Sequence, residues 1–107
     1  MSDEDELDRI FKALADRKRC AILDAIKDEP RTTGHLVALF PDLDRCTVMQ
    51  HMRVLEVAGL IVARREGRER WNYLNALPIK HIHDRWISDY AKTAVDMIAK
   101  LESAVTE

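Results

Sequence analysis

With 107 residues, 47% of them hydrophobic and 34% charged, the chain has the composition of one globular domain, residues 1–107. No apolar run approaches the ~18 residues of a membrane span, and the acidic start Asp3-Glu4-Asp5-Glu6 is unlike a secretory signal, so the expectation is no membrane and a cytoplasmic location. The net charge of −2 argues by itself against a nucleic-acid partner, but residues 45–70 hold six arginines against three glutamates, a basic segment in an acidic remainder.

Leu7, Ile10, Phe11 and Leu14 recur at helical spacing and predict a first helix. Ala15-Asp16 offers a break and a new cap, and Ile22, Leu23 and Ile26 mark a second helix that ends near Asp28-Glu29-Pro30. Thr32 or Thr33 can cap a short third helix with Leu36, Val37, Leu39 and Phe40 apolar, closed by Pro41.

Residues 43–74 are the most informative stretch. Asp44 is a plausible N-cap, and Val48, Met52, Leu55 and Val57 or Ala58 form an apolar stripe that leaves Arg45, Thr47, Met49, Gln50 and Arg53 outside. Gly59 ends this helix where a left-handed residue costs least. Leu60 to Arg65 then reads as a strand, Glu66-Gly67 as a turn, and Arg68 to Leu74 as the returning strand with Trp71 and Tyr73. The fold class is mainly α with a small β-hairpin wing (α+β), a winged helix-turn-helix of order ααααββα.

Leu77-Pro78 opens a final helix reaching to about Ser103, with a seam of Ile79, Ile82, Trp86, Tyr90, Ala94, Met97 and Leu101. It is longer than a domain this small needs to close its own core. The expected occupant of the seam is a second copy of the chain, with Leu7, Ile10, Ile82, Trp86, Tyr90 and Met97 of the first and last helices at a dimer interface. The first few residues and Ser103 onward are expected to be disordered.

In this order of elements the chain resembles the ArsR/SmtB family of transcriptional repressors. Phe11-Lys12-Ala13-Leu14-Ala15-Asp16, then Arg19 and Ile22-Leu23, is similar to that family's opening. Thr47-Val48, His51-Met52, Val54-Leu55 and Ala58-Gly59-Leu60 are similar to its recognition helix, and Arg65-Glu66-Gly67-Arg68 to its wing tip. The resemblance covers about residues 7 to 90 and implies a homodimer that grips operator DNA with wing and recognition helix. Metal-sensing members carry a Cys-x-Cys pair on the third helix. Here that helix reads Thr33-Gly34-His35-Leu36-Val37, without a thiol. Arg17-Lys18 stands where many relatives have Pro-Thr, and reads as a solvated helix end or a phosphate neighbour.

Arginine pairs bidentately with guanine and glutamine with adenine, so Arg45 and Gln50 are the natural base readers, and Thr47 and Met49 can touch a thymine methyl. Arg53 is assigned to phosphate, and His51 to packing. Alternation directs only about half of Arg64, Arg65, Arg68 and Arg70 toward DNA; Arg68, beside the turn glycine, is the leading candidate, and the others are expected to pair with Glu66 and Glu69.

His81 and His83 lie two residues apart and diverge by about 200° on a helix, so one helix cannot chelate with both. The family's second ligand pair would fall in Ala91-Lys92-Thr93-Ala94-Val95, which has no histidine. No metal or cofactor is expected, although a zinc or nickel site using His81 or His83 across a dimer stays open. Cys20 is expected to be a small buried residue. Cys46, in the first turn of the recognition helix, keeps a redox-responsive regulator open as an alternative. No phosphate loop or nucleophile elbow is present and no catalytic residue is assigned, so the chain reads as a non-enzyme. A regulator on a palindromic operator is the reading; a winged-helix protein-interaction module without DNA binding is the rival.

Overall fold

The computed structural model describes residues 3–105. Helix α1 (Asp3–Leu14) and α2 (Arg17–Ile26) lead to a two-residue strand β1 (Arg31–Thr32), then α3 (Thr33–Ala38) and α4 (Arg45–Val57). The wing is β2 (Ile61–Glu66) and β3 (Glu69–Leu74), and the chain closes with α5 (Leu77–Ile82), a π-helical segment His83–Ile87 and α6 (Ser88–Val105). The winged helix-turn-helix expected from the sequence is what forms. Three refinements follow.

First, β1 pairs antiparallel with β3, Arg31 opposite Asn72 and Thr32 opposite Trp71, so the sheet has the order β1-β3-β2. Second, the hairpin turn is Gly67-Arg68, one residue later than Glu66-Gly67. Glu66 pairs with Glu69, and Gly67 alone takes positive φ (63°), as a II′ turn requires at its first central position. Third, the C-terminal helix is not one regular helix, since the π segment interrupts it. Helix α6 runs through Ser103 to Val105, against the expected disorder there; residues 1, 2, 106 and 107 lie outside the described residues.

Local chemistry sets the helix ends. Asp16 Oδ1 accepts from the amides of Lys18 and Arg19 (2.8 and 3.2 Å), Thr32 Oγ1 from His35 (3.1 Å) and Asp44 Oδ1 from Thr47 (2.7 Å). Helix α4 stops in a Schellman motif at Gly59 (φ 78°): the Gly59 amide donates to Glu56 O and the Leu60 amide to Leu55 O. Leu55 and Leu60, the hydrophobic pair of that motif, are both fully buried.

The core gathers Ile10 and Ala13 of α1, Ile22, Leu23 and Ile26 of α2, Leu36 of α3, and Val48, Met52 and Leu55 of α4, with Leu60, Ile61 and Ile82. Ala58 completes the α4 stripe; Val57 does not, being largely exposed. Helix α6 contributes nothing, for none of its residues is buried. The molecule therefore measures 65 × 35 × 21 Å with a radius of gyration of 18.0 Å, against about 13 Å for a compact chain of this length.

Candidate nucleic-acid interface

Helix α4 buries Val48, Met52 and Leu55 and turns Arg45, Met49, Gln50 and Arg53 to solvent. Arg45, Met49 and Arg53 follow at steps of four and form one exposed row. Thr47 is half-buried. Its amide and its hydroxyl both hydrogen-bond to Asp44, holding that carboxyl below the ordinary aspartate range. Thr47 thus serves the cap first.

The wing adds to this row. Because Ile61 is buried, period-two alternation places Ala63 and Arg65 on its side of β2, and Arg70 lies directly opposite Arg65 on β3. Arg45, Met49, Arg65, Arg68 and Arg70 line one hollow of about 530 Å³ between α4, the wing and the start of α3. Four arginines, one from the helix and three from the wing, thus line one concave face. Of the residues singled out from the sequence, Arg45, Met49 and Arg68 line this hollow, and Arg65 and Arg70 line it with them. Their signal was in the sequence: the parity of Ile61 identifies the arginines that share its face. Gln50, Arg53 and Cys46 line an adjoining hollow of about 730 Å³ along α4, together with Met49 and Glu56.

The expected pairing of wing arginines with Glu66 and Glu69 is not found among the described residues. Arg70 instead forms an ion pair with Glu56 of α4, linking wing to helix. Lys18 pairs with Asp42 at 2.9 Å and lies over the Phe40 ring, so it ties α2 to the turn before α4, while Arg17 is exposed at the start of α2.

Arg19 fixes the opposite side of α4. Its Nε donates to Ala13 O (2.7 Å), Nη2 to Lys12 O (3.0 Å), and Nη1 lies 3.2 Å from His51 Nδ1. His51 is packed as expected, but its partner was not foreseen from sequence, because nothing in local spacing links positions 32 residues apart. Cys20 is only partly buried, with Sγ 3.2 Å from Leu14 O, and Cys46 is a free, exposed thiol.

At the other end, Phe11 and Trp86 make an edge-to-face contact (5.9 Å between centroids), as do Trp86 and Tyr90 (5.1 Å). Trp86, Tyr90 and Met97 are more than half exposed and Leu7 is half-buried. Ile10 and Ile82, expected at a dimer interface, are 6% and 2% exposed within this chain's own core. They belong to the core and offer almost no surface to a partner. His81 and His83 are exposed; His83 Nδ1 lies 3.3 Å from Asp84 Oδ1, whose neighbouring oxygen accepts from Lys80 (2.7 Å). Among the described residues, no three His, Cys, Asp or Glu side chains converge as a metal-holding set within one chain. No described helix is long and apolar enough to cross a membrane.

Residues 14–64 match the family of helix-turn-helix domains. The chain is 35% identical over 86 residues to YuzN of Bacillus subtilis (strain 168), an uncharacterized HTH-type transcriptional regulator; the match covers 75% of this chain and 94% of YuzN. Other curated HTH-type regulators are matched over about half of their own length, 48% and 55%. The crystal structure of an ArsR family transcriptional regulator superposes with a TM-score of 0.75 at 28% identity, covering 86% of this chain and 93% of that one. The homodimeric winged helix-turn-helix domain of Mb0332 from Mycobacterium bovis shares the fold (TM-score 0.66, 22% identity, 91% and 93% covered).

Proposed function

This chain belongs to the ArsR family of DNA-binding transcriptional regulators, which are not enzymes, and we propose that it acts as a homodimeric, sequence-specific repressor of a small operon that includes its own gene. The observation that carries this reading is the convergence of Arg45, Arg65 and Arg68 beside the exposed Met49 and Gln50. Arg45 and Gln50 offer the donor geometry that reads guanine and adenine edges, Met49 an apolar contact for a thymine methyl, and Arg53 and Arg68 charge for phosphate. Thr47 enters as a support of the helix end near the bases.

The apolar face of α6 with Tyr90 and Met97, continued by Trp86 of the π segment, takes the second copy, and Leu7 adjoins it. The homodimeric state of the Mb0332 domain, which has the same fold, supports a homodimer. A two-fold dimer presents its two recognition helices to successive major grooves about 34 Å apart on a palindromic operator. An effector would relieve repression by favouring a dimer geometry that spaces those helices wrongly. Helix α3 carries no thiol, so we assign the chain no thiolate metal site there. Arsenite or cadmium added to the reduced protein–operator complex is expected to leave it intact, and release at stoichiometric metal would overturn that assignment.

Binding of the purified protein to a selected operator and to a random duplex, followed by fluorescence anisotropy across a salt series, tests the function. Affinity for the operator should exceed that for random DNA and fall steeply with salt as condensed counterions are released. Equal affinity for both duplexes at moderate salt would refute specific regulation.

A further inference from the structure

We propose that Glu56 tunes the sequence discrimination of this regulator by withholding Arg70 from the DNA backbone. The inference rests on the DNA-binding face described above and adds a residue to it that works by subtraction. Glu56 is the only carboxylate in α4. It follows Arg45 by eleven residues and Met49 by seven, which places it within about 20° of each on the helix, on the face that meets the wing. A carboxylate there repels phosphate.

Arg70 answers it. The Arg70 guanidinium reaches from β3 to the Glu56 carboxylate, while Arg45, Arg53, Arg64, Arg65 and Arg68 make no ion pair with a carboxylate among the described residues. Of the arginines in this region, one is neutralised within the protein. Both partners are more than a third exposed (37% and 42%), so screening leaves the pair little weight in stability. Arg70 Nε is moreover buried without an acceptor. Nε is thus closed to solvent, and the exposed Nη end that Glu56 holds is the part a phosphate oxygen would take once Glu56 were absent.

The two kinds of complex feel this differently. A loose, sequence-independent complex is held by whichever cations reach phosphate. An operator complex is fixed in register by Arg45 and Gln50, with the wing held where the Glu56–Arg70 pair sets it. Withholding Arg70 therefore penalises random DNA more than the operator.

The experiment measures salt-dependent affinities of wild type, Glu56→Gln, Arg70→Gln and the double variant for a selected operator and a random-sequence duplex, with thermal melts as folding controls. Glu56→Gln should bind random DNA several-fold more tightly, steepen the log–log salt slope by about 0.9 per subunit, and lower the ratio of operator to random affinity. Arg70→Gln should weaken binding by baring Glu56 yet leave the slope unchanged, because Arg70 touches no phosphate in the wild type. The double variant should return toward wild-type behaviour. A slope that drops by about 0.9 per subunit in Arg70→Gln would make Arg70 an ordinary phosphate contact and overturn the proposal, as would an unchanged slope in folded Glu56→Gln. Should Glu56→Gln not fold, the Arg70→Gln slope decides alone. Absence of operator preference in the wild type would instead count against specific regulation itself.

Discussion

Helices α4 and α6 are both amphipathic, yet they meet solvent with opposite faces. In α4 the apolar residues Val48, Met52 and Leu55 are buried in the core and the polar residues Arg45, Gln50 and Arg53 stand outside. In α6 no residue is buried, and Met97, Ile98, Leu101 and Val105 are all more than half exposed. An apolar stripe says that a face will be covered. It does not say by what. For α4 the cover is the same chain, and what remains exposed is chemistry suited to DNA. For α6 the monomer supplies no cover, and continuity with the Phe11–Trp86–Tyr90 cluster makes a second copy the fitting partner.

The largest expected effect breaks this contrast on the α6 side. Met97→Glu with Leu101→Glu places two charges on the exposed stripe without touching the core. Light scattering should show monomers, with circular dichroism retaining a folded domain. Operator affinity should fall by roughly 10²- to 10⁴-fold as the avidity of two half-sites is lost. A variant that remains dimeric would move the interface elsewhere.

The next largest effect compares one residue type in two places. Leu55→Ala removes a fully buried side chain, with an expected loss of about 2–5 kcal/mol in unfolding free energy. Leu101→Ala, at a position 65% exposed in the monomer, should leave the stability of the protein nearly unchanged at concentrations low enough to dissociate it and act in the dimer only. Denaturant unfolding at several protein concentrations separates the two. Equal losses at both positions would mean that α6 packs on its own subunit.

How far the sequence reaches follows the same division. Periodicity and caps placed α1, α2, α4 and the wing, because Asp16, Asp44 and Gly59 act on neighbours a few residues away. The strand β1 escaped notice: two residues carry no alternation, and its pairing depends on Asn72 forty positions on. The π segment was invisible for a related reason, since a regular seam from Ile79 to Leu101 contains no local signal for one extra residue per turn. At the interface, Arg45, Met49 and Arg68 were legible by residue type and place. Strand parity places Arg70 on the face of Ile61, but its pairing with Glu56 required knowing that Glu56 faces the wing, which is a fact of tertiary packing.

Smaller effects probe the polar side of α4. Gln50→Ala should relax base preference at one position per half-site, costing about 1–3 kcal/mol there. Arg68→Ala should weaken all duplexes alike and reduce the salt slope by about one per subunit. Selection of operators by each variant, with salt titrations, distinguishes reading from anchoring. Loss of base preference in Arg68→Ala would exchange the two roles.

The smallest expected effect concerns the caps that hold α2 and α4 in place, a device α6 does without because it continues from the π segment. The Arg19 amide chiefly, with that of Lys18, keeps the Asp16 carboxyl below its ordinary value, and the Thr47 amide and hydroxyl do so for Asp44. In each case the folded state binds protons more weakly than the unfolded chain. The stabilisation is therefore complete above the ordinary aspartate range and is lost as pH falls through the lower folded-state values. Asp44→Asn keeps an acceptor for the Thr47 amide but removes the titration. Its melting temperature should lie slightly below wild type near neutrality, and the gap should close as both proteins are acidified below about pH 4. Asp44→Ala should be the less stable of the two variants at neutral pH, since it leaves that amide without a side-chain partner. Thermal melts between about pH 6 and pH 3 decide the matter. A gap between wild type and Asp44→Asn that stays constant across this window would show that the Asp44 charge adds nothing to the helix end, and that shape alone sets where the recognition helix begins.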